Sequence, residues 1–173
     1  MPRLPKSKGF PAACRLLTGV LPVCVLAITT AAGAAAREMP TMKQATGTFT
    51  VSLQPMQDPD AAPDPAMGRM RLDKHYLGGL AADAHGQMLT GMGGVPGSAA
   101  YVAIERVEGT LDGRKGGFLL AHRGVMHAGT QSLEIAIVPD SGNGALAGIA
   151  GTLAIRIADG VHHYVLDYTL PPE

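Results

Sequence analysis

This 173-residue chain has no tryptophan, only three phenylalanines and only two cysteines. Both cysteines, Cys14 and Cys24, lie within the first 36 residues. The rest of the chain therefore offers no thiol for a disulfide, a thiolate metal site or a nucleophile. The shortage of large aromatic side chains argues against a sugar site with aromatic walls.

The second feature in short supply is positive charge beyond the N-terminal segment. Residues 1–36 carry four basic groups and no acidic one, whereas residues 37–173 carry 10 basic and 14 acidic groups, a net charge of −4. A mildly acidic region without a basic run lacks the electrostatic attraction that nucleic acids and anionic membranes require. We therefore expect no nucleic-acid partner.

The N-terminal segment has the three parts of a secretory signal. Met1 to Arg15 is basic, Leu16 to Ile28 is largely apolar, and small residues follow up to Ala36. An apolar stretch of this length suits a removable signal better than a membrane anchor, which needs roughly 20 apolar residues. We expect cleavage after Ala36, export to the periplasm or beyond, and no membrane span in the remaining domain. An uncleaved anchor and lipid attachment at Cys24 are the alternatives.

Residues 37–173 predict one domain of antiparallel strands. Apolar and polar residues alternate in segments separated by turn signals at Gly78-Gly79, Asp112-Gly113 and Asp159-Gly160, the last two typical of tight hairpins. Residues 54–68 contain four prolines, which predict an exposed loop. The predicted strands are residues 44–53, 69–77, 80–92, 99–109, 117–123, 131–138, 152–157 and 162–170.

The spacing of these strands predicts their arrangement. Strands that follow one another through short turns form a meander, and no segment shows the apolar stripe of a helix. A meander of eight strands closes most simply as a barrel, which also leaves no exposed sheet edge. The sequence therefore predicts an all-β domain, an antiparallel up-and-down β-barrel of about eight strands.

Three segments resemble a known family. They are AYVAIERVEGTLDGRKGGFLLAHRG, SLEIAIVPDSGNGALAGIAGTL and DGVHHYVLDYTL. They are similar to a family of uncharacterised bacterial proteins, domain of unknown function 3224, whose members are similar in fold to the allene oxide cyclase barrel. The resemblance spans about Ala45 to Leu170 and implies a small barrel that can form a homo-oligomer. It implies no activity, and the plant cyclase reaction is not inferred because fold does not determine function.

Strand alternation brings a carboxylate and an imidazole toward the predicted lumen. Tyr101 and Glu105 share one face of a strand, and Phe118, Leu120 and His122 share one face of its hairpin partner. If both faces point inward, desolvation and mutual attraction shift the pKa values of Glu105 and His122. We take these two as the candidate catalytic pair and the other three as candidate ligand contacts. A self-satisfied polar pair, or an outward-facing Glu105, is the alternative.

Lys74 is a further candidate ligand contact because it shares a strand face with Leu72 and Tyr76. The alternative is a surface lysine whose stem covers apolar surface. No metal site is predicted, since His162 and His163 point to opposite faces of a strand and no H-x-H or H-E-x-x-H spacing occurs. A metal site assembled from distant strands is the alternative. No cofactor is predicted either, because no glycine cluster lies between a strand and a helix.

These observations support three hypotheses about function. The first is a binding module whose lumen takes a small apolar molecule, since eight strands leave room for one small ligand. The second is an isomerase or cyclase that uses Glu105 and His122. The third is a structural oligomer with a filled core. A cavity that reaches solvent would favour the first two, and a lumen packed shut would favour the third.

Overall fold

The computed structural model describes residues 39–57, 62 and 64–172, and the predicted signal segment lies outside them. This part of the chain forms nine strands and no α-helix. No helix among the described residues is long and apolar enough to cross a membrane. The strands are β1 Lys43–Pro55, β2 Met67–Gly78, β3 Leu80–Met92, β4 Ala99–Leu111, β5 Arg114–His127, β6 Thr130–Ile137, β7 Asn143–Gly144, β8 Ala150–Ala158 and β9 Val161–Thr169.

Eight of these strands close into an antiparallel barrel. Strands β1 to β6 pair in sequence order, β6 pairs with β8, β8 with β9, and β9 returns to β1. All the pairings are antiparallel, so the chain runs up and down around the barrel. The predicted fold class is confirmed.

The hairpin turns follow the predicted chemistry. Asp112 and Gly113 have φ angles of 46° and 82°, and Asp159 and Gly160 have φ angles of 51° and 76°. Two successive residues of positive φ match the right-handed twist of the flanking strands, and Asp-Gly adopts this conformation at low cost.

The ninth strand, β7, lies in the glycine-rich stretch between the predicted strands 131–138 and 152–157. The two residues of β7 pair with Gly116 and Gly117 of β5. A Cβ at Gly116 would collide with the Asn143 carbonyl, and one at Gly117 would lie 3.2 Å from the Asn143 side chain. The two glycines therefore let the β7 backbone approach. Beyond β7, the buried side chains of Leu146 and Ile149 join the core.

Two tyrosines of β9 tie the turns of one barrel end together. The Leu80 amide donates a 2.8 Å hydrogen bond to the Tyr164 hydroxyl, and the Tyr168 hydroxyl donates a 2.7 Å bond to Asp112 Oδ2. Burial and the Asp112 carboxylate raise the pKa of Tyr168 to about 12, so this hydroxyl stays a donor at physiological pH. We call this the closed end of the barrel. We call the opposite end, where the strands terminate at Pro55, Met92, His127 and Ala158, the open end.

The outer face of the sheet carries an apolar strip. Leu89 of β3 and Val102 of β4 are direct cross-strand partners, and Ile104 lies next to Val102 on the same face. All three side chains are about half exposed. The homo-oligomer that the family resemblance implies remains a prediction. Glu134 of β6 is exposed on the outer face.

Candidate functional site

A cavity of about 700 Å³ occupies the barrel toward its open end. All eight barrel strands contribute inward-facing residues to its lining, and nine of the 14 lining residues are apolar. Leu53 and Ile157 belong to the lining and are 45% and 64% exposed, so the cavity reaches solvent. Its volume falls within the range of small-molecule sites. The lumen is therefore open and not packed shut.

The floor of the cavity holds a buried charged cluster, which we call the floor cluster: Lys74, Tyr76, Glu105 and His122. Lys74 Nζ donates to Glu105 Oε1 at 3.0 Å and to the Tyr76 hydroxyl at 3.2 Å. The Tyr76 hydroxyl donates to Glu105 Oε1 at 2.8 Å. His122 Nε2 lies 3.1 Å from the same oxygen. One carboxylate oxygen thus organises three polar side chains.

Small residues of β3 make this cluster sterically accessible. Glu105 of β4 and Lys74 of β2 are separated by β3, which presents Gly86 beside Glu105 and Ala84 beside Lys74. A Cβ at Gly86 would lie 2.8 Å from the Glu105 Cα and would collide with the Ile104 carbonyl. Without long side chains on β3, the lysine and the glutamate meet across the intervening strand.

The electrostatics of the cluster favour a charged Glu105. Burial alone would raise the pKa of Glu105, but the His122 hydrogen bond, the Lys74 charge and the Tyr76 hydrogen bond outweigh it and hold the pKa below its ordinary value. Burial lowers the pKa of Lys74, against the attraction of Glu105. Burial and the Glu105 charge raise the pKa of Tyr76. Glu105 Oε2 is buried and has no hydrogen-bond partner among the described residues.

The structure separates the candidate residues into two groups. Lys74, Tyr101 and His122 line the cavity. Phe118 and Leu120 are completely buried in the core and lie outside the cavity lining. These two side chains, which were predicted as ligand contacts, therefore expose no surface to the cavity.

The burial of Glu105 and of Lys74 excludes one alternative interpretation of each residue. Glu105 faces inward with no exposed surface, so the outward-facing interpretation is wrong. It lies behind Lys74 and His122 and does not border the cavity itself. The interpretation of Lys74 as a surface lysine is also wrong, because its side chain is only 4% exposed. The physical reason is the ion pair with Glu105, which offsets the cost of burying the ammonium group.

Three residues of the site went unrecognised in the sequence. Tyr76 completes the floor cluster, Phe49 places its ring 5.0 Å from Lys74 Nζ, and the His162 ring lies 4.9 Å from that of Phe49. The alternation around Phe49 placed it on a buried face, and Tyr76 shares the face of Lys74. These patterns marked the positions as inward. Their mutual contacts depend on the pairing of β1 with both β2 and β9, which no local pattern specifies.

Tyr101 covers the cavity side of β5. Its ring lies directly over Gly124, where a Cβ would collide with it. Burial and the Glu105 charge raise the pKa of Tyr101, so its hydroxyl remains protonated. The cavity therefore presents donors at Lys74 and Tyr101, imidazoles at His122 and His162, the amide of Gln131, and no acidic side chain in the described part of its lining. Such a surface suits a ligand with a hydrogen-bond acceptor.

The lowered pKa of Glu105 predicts a pH dependence of stability. A carboxyl group whose folded pKa lies below its ordinary value of 4.5 stabilises the fold above that pH, and this contribution is lost as the pH falls through the folded pKa. We expect the difference in unfolding free energy between the wild type and Glu105→Gln to shrink as the pH falls below about 4.5. Urea unfolding at a series of pH values measures it, and a difference that grows on acidification would contradict it.

Comparison with known proteins identifies relatives of unknown function. No curated protein matches the chain. A solved structure of a protein with unknown function from Shewanella oneidensis MR-1 is 44% identical in sequence, covers 77% of this chain and 100% of its own, and superimposes with a TM-score of 0.71. Residues 45–168 match the family described as protein of unknown function (DUF3224), to which that structure also belongs. The chain is a member of the DUF3224 family.

Proposed function

We propose that the barrel binds one small, mostly apolar molecule in its lumen. The observation that carries the proposal is the cavity of about 700 Å³, open to solvent and lined mainly by aliphatic side chains. Water in such a space gains few hydrogen bonds, and displacing it by apolar surface is favourable. Leu72, Leu133 and Ile155 provide walls against which a ligand can pack.

The proposal predicts that filling the cavity abolishes binding. Ala103 lines the cavity between Met88 and His122, so Ala103→Phe places a ring in the space that the ligand occupies. We expect the affinity for N-phenyl-1-naphthylamine, a neutral apolar dye, to fall at least about tenfold, which is about 1.4 kcal/mol. Dye fluorescence measured during titration reports the binding.

Ala100→Phe is the matched control. Ala100 lies three residues earlier on the same strand, is exposed and points away from the lumen. Its substitution should leave the dye affinity unchanged, and thermal unfolding should show both variants folded at the temperature of the titration. Failure of the wild type to bind the dye, or equal binding by wild type and Ala103→Phe, would refute the proposal.

A second candidate function is acid–base catalysis within the same cavity. The specific observation is the 3.1 Å contact between Glu105 Oε1 and His122 Nε2, with His122 on the cavity surface. In an isomerase, His122 would exchange the proton with the substrate, and Glu105 would orient the imidazole from behind. Incubating the protein with a bound molecule and following its conversion by mass spectrometry distinguishes this candidate from simple binding, since a binding module returns its ligand unchanged.

A further inference from the structure

We infer that the ligand is an amphiphilic carboxylate that binds with its carboxylate on the floor cluster and its apolar end at the mouth. This inference rests on the proposed function and specifies the chemistry and direction of the ligand. Two independent features support it: the polarity of the cavity along the barrel axis, and the free hydrogen-bond donor of Lys74 at the floor.

The charged groups of the cavity lie at its floor, whereas its mouth carries four apolar side chains and the uncharged Gln131, which opposes Met126 across the β5–β6 pairing. Leu53 of β1 and Ile157 of β8 continue the inward-facing rows of Val51 and Ile155 toward the open end. Met92 and Met126 continue the rows of Met88 and His122, and both oppose Ala99 across the β3–β4 and β4–β5 pairings. These four apolar side chains at the mouth are between 41% and 64% exposed. Large apolar side chains on the inward face of a barrel are normally buried.

This order of polarity favours one direction of binding. A ligand that placed its charged end at the mouth would leave the third N–H of Lys74 against hydrocarbon, and an unsatisfied buried donor costs about 1–3 kcal/mol. A ligand that enters with its polar end first satisfies the floor. Its apolar end then covers the exposed side chains of Leu53, Met92, Met126 and Ile157.

The free hydrogen-bond donor of the floor favours an anionic head. The cluster contains two basic side chains, Lys74 and His122, and one acidic side chain, Glu105. Of the three N–H groups of the Lys74 ammonium, Glu105 and Tyr76 accept two. No acidic side chain lines the described part of the cavity to repel an anion. A carboxylate would accept the remaining Lys74 hydrogen.

The head group is tested with probes that share one alkyl tail. Decanoate, decanol and decylamine compete with N-phenyl-1-naphthylamine for the wild-type cavity. We expect decanoate to displace the dye at a concentration at least about tenfold lower than decylamine, with decanol between them. Equal displacement by decanoate and decylamine would overturn the inference and leave the proposed function standing. Absence of dye binding would overturn both.

A double variant tests the residues responsible. Lys74→Met with Glu105→Gln removes the cation and its partner anion together, so neither charge is left buried alone. The preference for decanoate over decylamine should fall to within about twofold while the dye still binds. Arg123→Met is the matched control, because Arg123 follows His122 in the strand and its side chain is 63% exposed on the outer face. A preference that survives in the double variant would refute the role of Lys74.

The direction of binding is tested by adding a group to either end of the ligand and measuring the change in affinity. A carboxylate probe with a dansyl group on its tail end should bind within about threefold of the unmodified acid, since the group protrudes from the mouth. The methyl ester of decanoate should lose at least about tenfold, because it removes the charge and crowds the floor. The opposite pattern, with the ester tolerated and the tail label excluded, would reverse the inferred orientation.

Discussion

Glu105→Gln is expected to lower the free energy of unfolding by about 3–5 kcal/mol, the usual cost of removing one partner of a buried ion pair. Glu105 has no exposed surface and the Lys74 side chain is 4% exposed, so the ammonium group would lose its only anionic partner at the floor while staying largely buried. The substituted amide is also a weaker acceptor for the Tyr76 hydroxyl and His122. Urea unfolding at neutral pH, followed by circular dichroism, measures the loss.

The double variant Lys74→Met with Glu105→Gln is the control for this prediction. It removes both charges, and replacing a buried ion pair by groups of similar volume is often neutral. We expect it to recover most of the stability lost in the single variant. The resulting double-mutant cycle isolates the coupling of the two side chains. A single-variant loss below about 1 kcal/mol would show that the pair is solvated and not buried.

Local patterns were sufficient to predict the barrel. The alternation of residues 80–92 predicted the bounds of β3, and Asp112-Gly113 predicted the turn between β4 and β5. The same alternation placed Glu105 and His122 on inward faces, as observed. The two-residue alternation of apolar and polar side chains specifies which face of the sheet a side chain occupies, and short hairpins specify which strands are neighbours. In a meander these two facts determine most of the topology.

Contacts across more than one strand were not predictable. Tyr76 and Lys74 reach Glu105 past β3, which requires the small side chains of Ala84 and Gly86 to lie at that exact height of the barrel. The height depends on the stagger of three strands, and hydrophobic alternation is the same for several staggers. The burial of Lys74 followed from this contact, so its own sequence neighbourhood could not indicate it.

The depth of each side chain within the barrel was also not predictable from the sequence. Phe118, Leu120 and Tyr101 all face inward, but only Tyr101 borders the cavity. The closed end is filled partly by Leu146 and Ile149, which come from a glycine-rich stretch that alternates in no regular way. Two apolar residues within a turn-rich stretch indicate that the stretch packs against the barrel core. They do not indicate which end of the barrel it fills.

Phe118→Ala is expected to lower the free energy of unfolding by about 3–5 kcal/mol while leaving the affinity for N-phenyl-1-naphthylamine within about twofold of wild type. Phe118 is completely buried opposite Val107 in the core, so its removal leaves a void that the surrounding barrel only partly fills. Because the ring does not border the cavity, a ligand there loses no contact. Urea unfolding and dye titration of the same preparation separate the two quantities.

Leu133→Ala provides the opposite combination and serves as the control. Leu133 lines the cavity and is only partly buried, so its truncation should weaken dye binding more than it lowers stability. If Phe118→Ala instead loses dye affinity at a temperature where it remains folded, the cavity extends deeper in solution than the structure shows, and Phe118 is a ligand contact after all. Opposite responses of the two variants would place the boundary between core and binding site above Phe118, at the level of the floor cluster, so that stability and affinity could be altered independently in this barrel.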